Sequence, residues 1–434
     1  MLRVGLVSRF ASLLASLAAA LLPSDAARVP GQATPSGPRA YPPFQPGPVK
    51  SPELDPQRER YRLAVEPYRV LGSGKPGNGP EDIVDPDGLA FDRRGRLWAT
   101  DAQNRRLQIW DVKTGTQRAR VGSAETLPQG ELVDLAVAPD GTVLVTDEKL
   151  GRAYAFAPKD KAALDPTEYT LLPRDPLGGD AYKKLGGIAI DAESNIYTVD
   201  AELNEVRKYR STGQREPAWQ FPIQRAAREP FLKNAEGIAL DEGRQTLYVA
   251  SEFDYVVHLF DLKTGHFLNK TIGARLDPKD NAISGKRVFS GSWAIFSGSP
   301  EGLSLMRDYL FAVDEFAGHV HVFDITNPAV FNRDLDDLAE LDRAGRGRSG
   351  YVGFFGHTPV ISLENQAYKK LIRKHELNPA EYNSPGYLCS PDSVATYYDG
   401  KENEGYIAVA DQCNYRIVVY RWSQVVQAAG LTRS

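Results

Sequence analysis

Carboxylates recur in this chain where a repeating hairpin would gather them. Asp87-Gly88, Glu236-Gly237, Glu301-Gly302 and Asp392-Ser393 each open an apolar run. A second apolar run then ends just before Glu148, Glu252 or Glu315. In an antiparallel hairpin, the residue before the first strand and the residue after the second share one end. Carboxylates converging there repel one another unless a cation sits among them. Oxygen donors, with few histidines and no cysteine cluster, suit Ca²⁺ rather than Zn²⁺. Glu236, Glu301 and Asp392 are therefore read as metal ligands, and Asp87, Glu148 and Glu315 as further members of an acidic mouth. A different acidic set, Asp101, Asp147, Asp200, Asp314 and Asp411, recurs in nearly every repeat, and its expected role is structural, in capping turns.

The elements that must position these groups repeat six times. Each copy is an apolar strand, a tight turn, a second strand ending near an acid, and a third strand, as in GRLWATD at 95–101 followed by LQIW at 107–110. Fourth strands follow several copies, for example at 117–122 and 267–273. Four-stranded units repeating every ~40–50 residues are the signature of a β-propeller. The expected fold is all-β, a six-bladed propeller over residues 61–434. The strand at 68–72 precedes the first copy, so it should complete the last blade and close the ring. The step from Asp314 to Asp411 is 97 residues, against 46 for Asp101 to Asp147. Residues 325–388 are accordingly read as an insertion, with a helix-like run at 365–377, serving either as a surface loop or as a lid over the site.

Composition narrows the classes. The chain has 434 residues and a net charge of −4, with 38 Gly, 30 Pro and 20 Tyr but only 2 Met. No basic excess argues for nucleic acid. Arg3, Arg9, the apolar run at 11–22 and small residues at Ser24 and Ala26 read as a signal peptide cleaved after Ala26, with an uncleaved anchor as the alternative. Residues 27–60 are a Pro-rich tether. The mature chain is expected to be secreted or periplasmic, without a membrane span, and monomeric. Cys389 and Cys413, the only cysteines, flank one hairpin of the last copy, and in an exported protein they are expected to form a disulfide. His319 and His321 alternate on a strand and read as surface. No nucleophile elbow, phosphate loop or zinc-protease motif is present.

The later copies resemble the β-propeller phytases. EGIALDEGRQTLYVASE at 236–252 is similar to that family's Glu-Gly blade, with two metal-binding carboxylates at the spacing of Glu236 and Glu252. Glu301-Gly-Leu and Asp392 fall where the following blades carry ligands, and 414–422 resembles the family's C-terminus. The first copies are closer to generic NHL repeats, and the family's Asp-Asp-Pro opening is missing. The resemblance implies calcium at the mouth, Glu252 among its ligands, and action on a small phosphorylated ligand, with basic side chains from the first blades cradling phosphate. Here Ala102, Glu148 and Ala201 occupy those strand ends, so Lys149, Arg105, Arg106 or Arg152 would have to compensate. Three functions stay open: a calcium-dependent phosphatase with altered range, a lactonase-like metal hydrolase, and a non-catalytic scaffold propeller.

Overall fold

Short β-branched and aromatic runs, punctuated by Gly, Asp and Asn, dictate strands and tight turns. The computed structural model describes residues 59–163, 165–219, 232–276, 287–288, 295–296, 299–315, 317–345, 347–356 and 386–431. The leader expected at 1–26, the tether up to residue 58 and the run at 365–377 lie outside the described residues.

The first strand, β1 (Arg69–Leu71), stands alone in sequence. Blade one is β2 (Leu89–Phe91), β3 (Arg96–Asp101), β4 (Arg106–Asp111) and β5 (Thr116–Val121). Blade two is β6 (Leu132–Val137), β7 (Val143–Asp147), β8 (Arg152–Pro158) and β9 (Tyr169–Leu171). Blade three is β10 (Leu185–Ile190), β11 (Ile196–Asp200) and β12 (Glu205–Tyr209). Blade four is β13 (Ala235–Asp241), β14 (Thr246–Ser251), β15 (Val256–Asp261) and β16 (Phe267–Ile272). A small ribbon of β17 (Arg275–Leu276) and β18 (Arg287–Val288) follows. Blade five is β19 (Pro300–Met306), β20 (Tyr309–Asp314), β21 (His319–Asp324) and β22 (Tyr351–Phe355). Blade six is β23 (Pro391–Asp399), β24 (Glu404–Asp411) and β25 (Arg416–Arg421), completed by β1, which pairs antiparallel with β25 through Arg69↔Val419 and Leu71↔Ile417.

The inner strands β2, β6, β10, β13, β19 and β23 each touch the next, and β23 returns to β2. The molecule is a closed six-bladed β-propeller. Its core is a series of apolar layers between blades; Leu71, Leu97, Trp110, Tyr406 and Val419, for instance, fill the seam between blades one and six. No helix among the described residues is long and apolar enough to cross a membrane.

Part of the segment read as an insertion belongs to blade five. After β21 the chain forms a helix, α1 (Leu335–Arg343), whose N-cap Asp334 accepts from the Asp337 N–H. It then returns as the outer strand β22. A second helix, α2 (Trp422–Ala429), ends the described chain and packs Val425 and Val426 into the seam between blades five and six.

The strand-end aspartates act structurally. Asp101 accepts from the Val84 N–H at 2.8 Å and from Arg106 Nε at 2.6 Å. Asp411 accepts from the Cys389 N–H at 2.6 Å and from Arg416 Nε at 2.6 Å. Each thus ties its blade's entry segment to its second strand. His319 and His321 are not on the surface. Both are buried where β22 pairs with their strand, His319 packed at a tilt against Phe354 with ring centroids 4.2 Å apart and His321 Nδ1 2.8 Å from the Tyr351 hydroxyl.

Candidate metal centre at the channel mouth

Two backbone features aim the acids at the axis. The first is the glycine that opens several inner strands. A Cβ on Gly237 would lie 1.8 Å from the Glu301 carbonyl oxygen, and one on Gly302 would lie 2.6 Å from the Ser393 Cα. Only glycine lets neighbouring inner strands approach this closely, and the residue before it is carried to the channel wall. The second is the turn after each second strand. Its closing residue is left-handed in all six blades, at Arg105, Gly151, Asn204, Tyr255, Gly318 and Tyr415. This sharp turn leaves the residue after the strand at the mouth, which is where Glu148, Glu252, Glu315 and Gln412 line the channel.

The cavity encloses about 960 Å³. Among its described lining residues are nine carboxylates and one basic side chain, Lys184. All seven acids expected at the mouth, Asp87, Glu148, Glu236, Glu252, Glu301, Glu315 and Asp392, line it. Glu252, Glu301 and Glu315 each bring one carboxylate oxygen within 4.8 Å of the other two. Burial pushes the Glu301 carboxyl well above its ordinary range, helped by the charges of Glu315, Asp392, Glu252 and Glu236. Glu252 is 8% exposed, and burial together with Glu236 raises its pKa to about 7. Asp87, raised by burial and by Asp392, accepts from Gln412 Nε2 at 2.5 Å.

Three charged lining residues escaped the sequence reading: Glu131, Asp134 and Lys184. Asp134 stands where other blades have the inner-strand glycine, and it accepts from the Ile188 N–H of the next blade at 2.8 Å. Burial raises its pKa to about 7. Lys184 precedes β10 and reaches Glu236 Oε1 at 2.7 Å and Glu148 Oε2 at 3.7 Å. Burial works against its charge, but the Glu236 and Glu148 carboxylates prevail and raise its pKa.

None of the basic residues offered for phosphate lines the cavity, and Arg106 is held by Asp101. Arg105 donates to the Leu127 carbonyl, Arg152 lies over the Tyr154 ring, and Lys149 is exposed. Arg105 is itself the left-handed residue closing its turn. Ala102 and Ala201 are buried. Cys389 and Cys413 meet at the same end, with the Cys413 N–H donating to the Cys389 carbonyl at 3.2 Å, but no disulfide is formed among the described residues.

No family profile matches this chain, and no curated protein matches it significantly. Solved structures do. The PQQ-bound aldose sugar dehydrogenase of Streptomyces coelicolor aligns with a TM-score of 0.51 and 16% identity, covering 83% of this chain and 98% of that one. A streptogramin B lyase gives 0.44 and 12%, covering 81% and 96%. Virginiamycin B lyase from Staphylococcus aureus gives 0.40 and 11%, covering 82% and 87%. What the dehydrogenase shares with this chain is the propeller fold. At these identities the likeness reaches no further, and it supports neither the phytase nor the NHL assignment.

The acidic mouth has a pH signature of its own. Glu252 carries a raised pKa, so the native state holds a proton between about pH 4.5 and 7 that the unfolded chain has already released. Its contribution to stability is present below that window and is lost as pH rises through it. In chelator, the melting temperature should therefore fall by several degrees from pH ~5 to pH ~7.5, and added calcium should remove most of that fall. Melting curves at both pH values check this; a chelated protein more stable at the higher pH would contradict it.

Proposed function

We propose that this protein binds one Ca²⁺ at Glu252, Glu301 and Glu315, beside Asp392, and is a metal-dependent hydrolase of small esters bearing few phosphates or none. The supporting observation is the convergence of three buried or half-buried carboxylate oxygens within 4.8 Å. The donor set is all oxygen and anionic, which fits a hard cation. Such an ion supplies a polarising Lewis acid and a more acidic bound water. The chain's own part is to orient these donors. Asn234 donates to both Glu236 and Glu252, and Ser390 donates to Glu315.

Phytate is a poor fit to this wall. At an effective dielectric of about 20, a carboxylate ~4 Å from a phosphate oxygen costs roughly 4 kcal/mol. Lys184, the one basic lining residue described, is already engaged by two glutamates. A calcium-dependent screen over phytate, a simple phosphomonoester, carboxylic esters and lactones tests the reading. A simple ester should be hydrolysed at least about tenfold faster than phytate, a difference of ~1.4 kcal/mol in barrier. Efficient phytate turnover would refute it.

One observation favours a non-catalytic binding propeller as the second reading. Leu150, Leu203 and Phe253, on the rim turns of blades two to four, are 42%, 43% and 61% exposed. Silence across the whole screen in a protein that still binds calcium would decide for it. Export is part of the same proposal, and a thiol count on the denatured, unreduced protein tests it. An oxidised Cys389–Cys413 pair should leave no reactive thiol.

A further inference from the structure

The acids of the mouth fall into two groups with different partners. Glu236 was expected to bind metal, but its carboxylate swings toward blade three. Its Oε1 is 2.7 Å from Lys184 Nζ, and its Oε2 lies 3.0 Å from where a Cβ on Gly186 would be. Glu148, from blade two, approaches the same ammonium from the other side at 3.7 Å. Lys184 and its two glutamates therefore span three consecutive blades. Asn234 marks the boundary, since its amide also reaches Glu252 in the second group.

We infer that Lys184 is a built-in cation that stands in for a second metal ion, so that the mouth takes one Ca²⁺ rather than two. The inference rests on the proposed calcium site but concerns different residues. An ammonium satisfies carboxylates as a point charge with three donors. It cannot be exchanged, it carries one charge where a metal carries two, and it cannot polarise a ligand oxygen as a metal can. Glu148 and Glu236 are thereby both turned to the ammonium rather than to an exchangeable ion. Lys184 is a positioning residue that confines the exchangeable cation to the side of blades four and five. It also leaves its own side of the channel with more carboxylates than basic groups, which disfavours a second anionic group on the ligand.

Lysine and metal predict different stoichiometries once the lysine is gone. Calcium binding is measured by titration calorimetry and equilibrium dialysis on the full-length protein and on Lys184→Met and Lys184→Arg. The wild type and Lys184→Arg should bind the same number of ions, and Lys184→Met should bind one more. An unchanged number in Lys184→Met overturns the inference, because a merely structural salt bridge would lower stability without creating a site. If Lys184→Met does not fold in chelator, it is refolded with calcium or with sodium chloride of matched ionic strength. Recovery with calcium alone supports the inference, and failure in both overturns it. The two proposals fail separately. A wild type that binds no calcium, with a Lys184→Met protein that binds one ion, removes the Glu252–Glu301–Glu315 reading and keeps this one. One ion in each does the reverse.

Discussion

With calcium at the proposed centre the wild-type protein should melt higher in calcium than in chelator; Glu301→Gln should abolish that rise, and in chelator it should melt above the wild type. The two halves of this expectation have one cause. Glu301 is half-buried among Glu315, Asp392, Glu252 and Glu236, and its carboxyl is held far above its ordinary pKa. Without a cation its charge is a burden, and glutamine removes the charge while keeping the volume. With a cation the same charge is the attraction. A unit charge pair ~4 Å apart at an effective dielectric of about 20 is worth roughly 4 kcal/mol as an upper figure, or about a thousandfold in affinity. An ion at about 100 times its Kd stabilises the fold by ~2.7 kcal/mol, and a thousandfold weaker site gains almost nothing at that concentration. The melting curves of the two proteins should therefore cross as calcium is added. Equal calcium shifts in both would remove Glu301 from the site.

Much of this arrangement is legible in the sequence because it depends on backbone periodicity. The recurring strand triplets specify blades, and Arg69–Leu71 has an outer strand's character but no blade before it, so only the last blade can receive it. The acids at the mouth are legible for the same reason, since hairpin geometry alone puts the two ends of a strand pair together. What the sequence conceals depends on side-chain direction. Glu236 matches a ligand motif, yet its carboxylate turns over Gly186 to meet a lysine that belongs to no motif. Lys184 is a single basic residue in a connecting stretch, and nothing in its spacing distinguishes it from the exposed Lys183 beside it. Asp134 breaks the glycine pattern, so the pattern itself hides it. Arg105 and Lys149 look close to the mouth in sequence, but Arg105 bonds the Leu127 carbonyl, Lys149 is exposed, and neither lines the cavity. His319 and His321 look superficial until β22 is found to arrive some thirty residues later and cover them.

The glycines that open the inner strands connect the fold to the site, and Gly237→Ala should damage both. The new Cβ would sit 1.8 Å from the Glu301 carbonyl oxygen, 2.9 Å from the Glu301 carbonyl carbon and 3.1 Å from the Leu303 nitrogen. All three are backbone atoms of the neighbouring inner strand, so no side chain can rotate away. Relief requires blades four and five to separate along the channel wall, which opens the packed seam containing Ala239, Ala250, Leu303 and Ala312. Overpacking that a side chain can absorb costs about 1–3 kcal/mol, and a clash between backbones belongs at or beyond the top of that range. Gly400 offers the control: it lies on an exposed turn, and a Cβ there meets nothing within 4 Å. Gly400→Ala should stay within about 0.5 kcal/mol of the wild type. The more telling consequence is at the mouth. The residue whose carbonyl is struck is Glu301 itself, so the displaced strand carries its carboxylate away from Glu252, which stays on blade four. Gly237→Ala should therefore lose calcium-dependent stabilisation even though every carboxylate is still in the chain. Melting curves in chelator and in calcium, with Gly400→Ala alongside, measure both effects. A Gly237→Ala protein with wild-type stability would show that the inner strands do not meet at this glycine. One that is destabilised but keeps the full calcium shift would detach the metal centre from the seam between blades four and five.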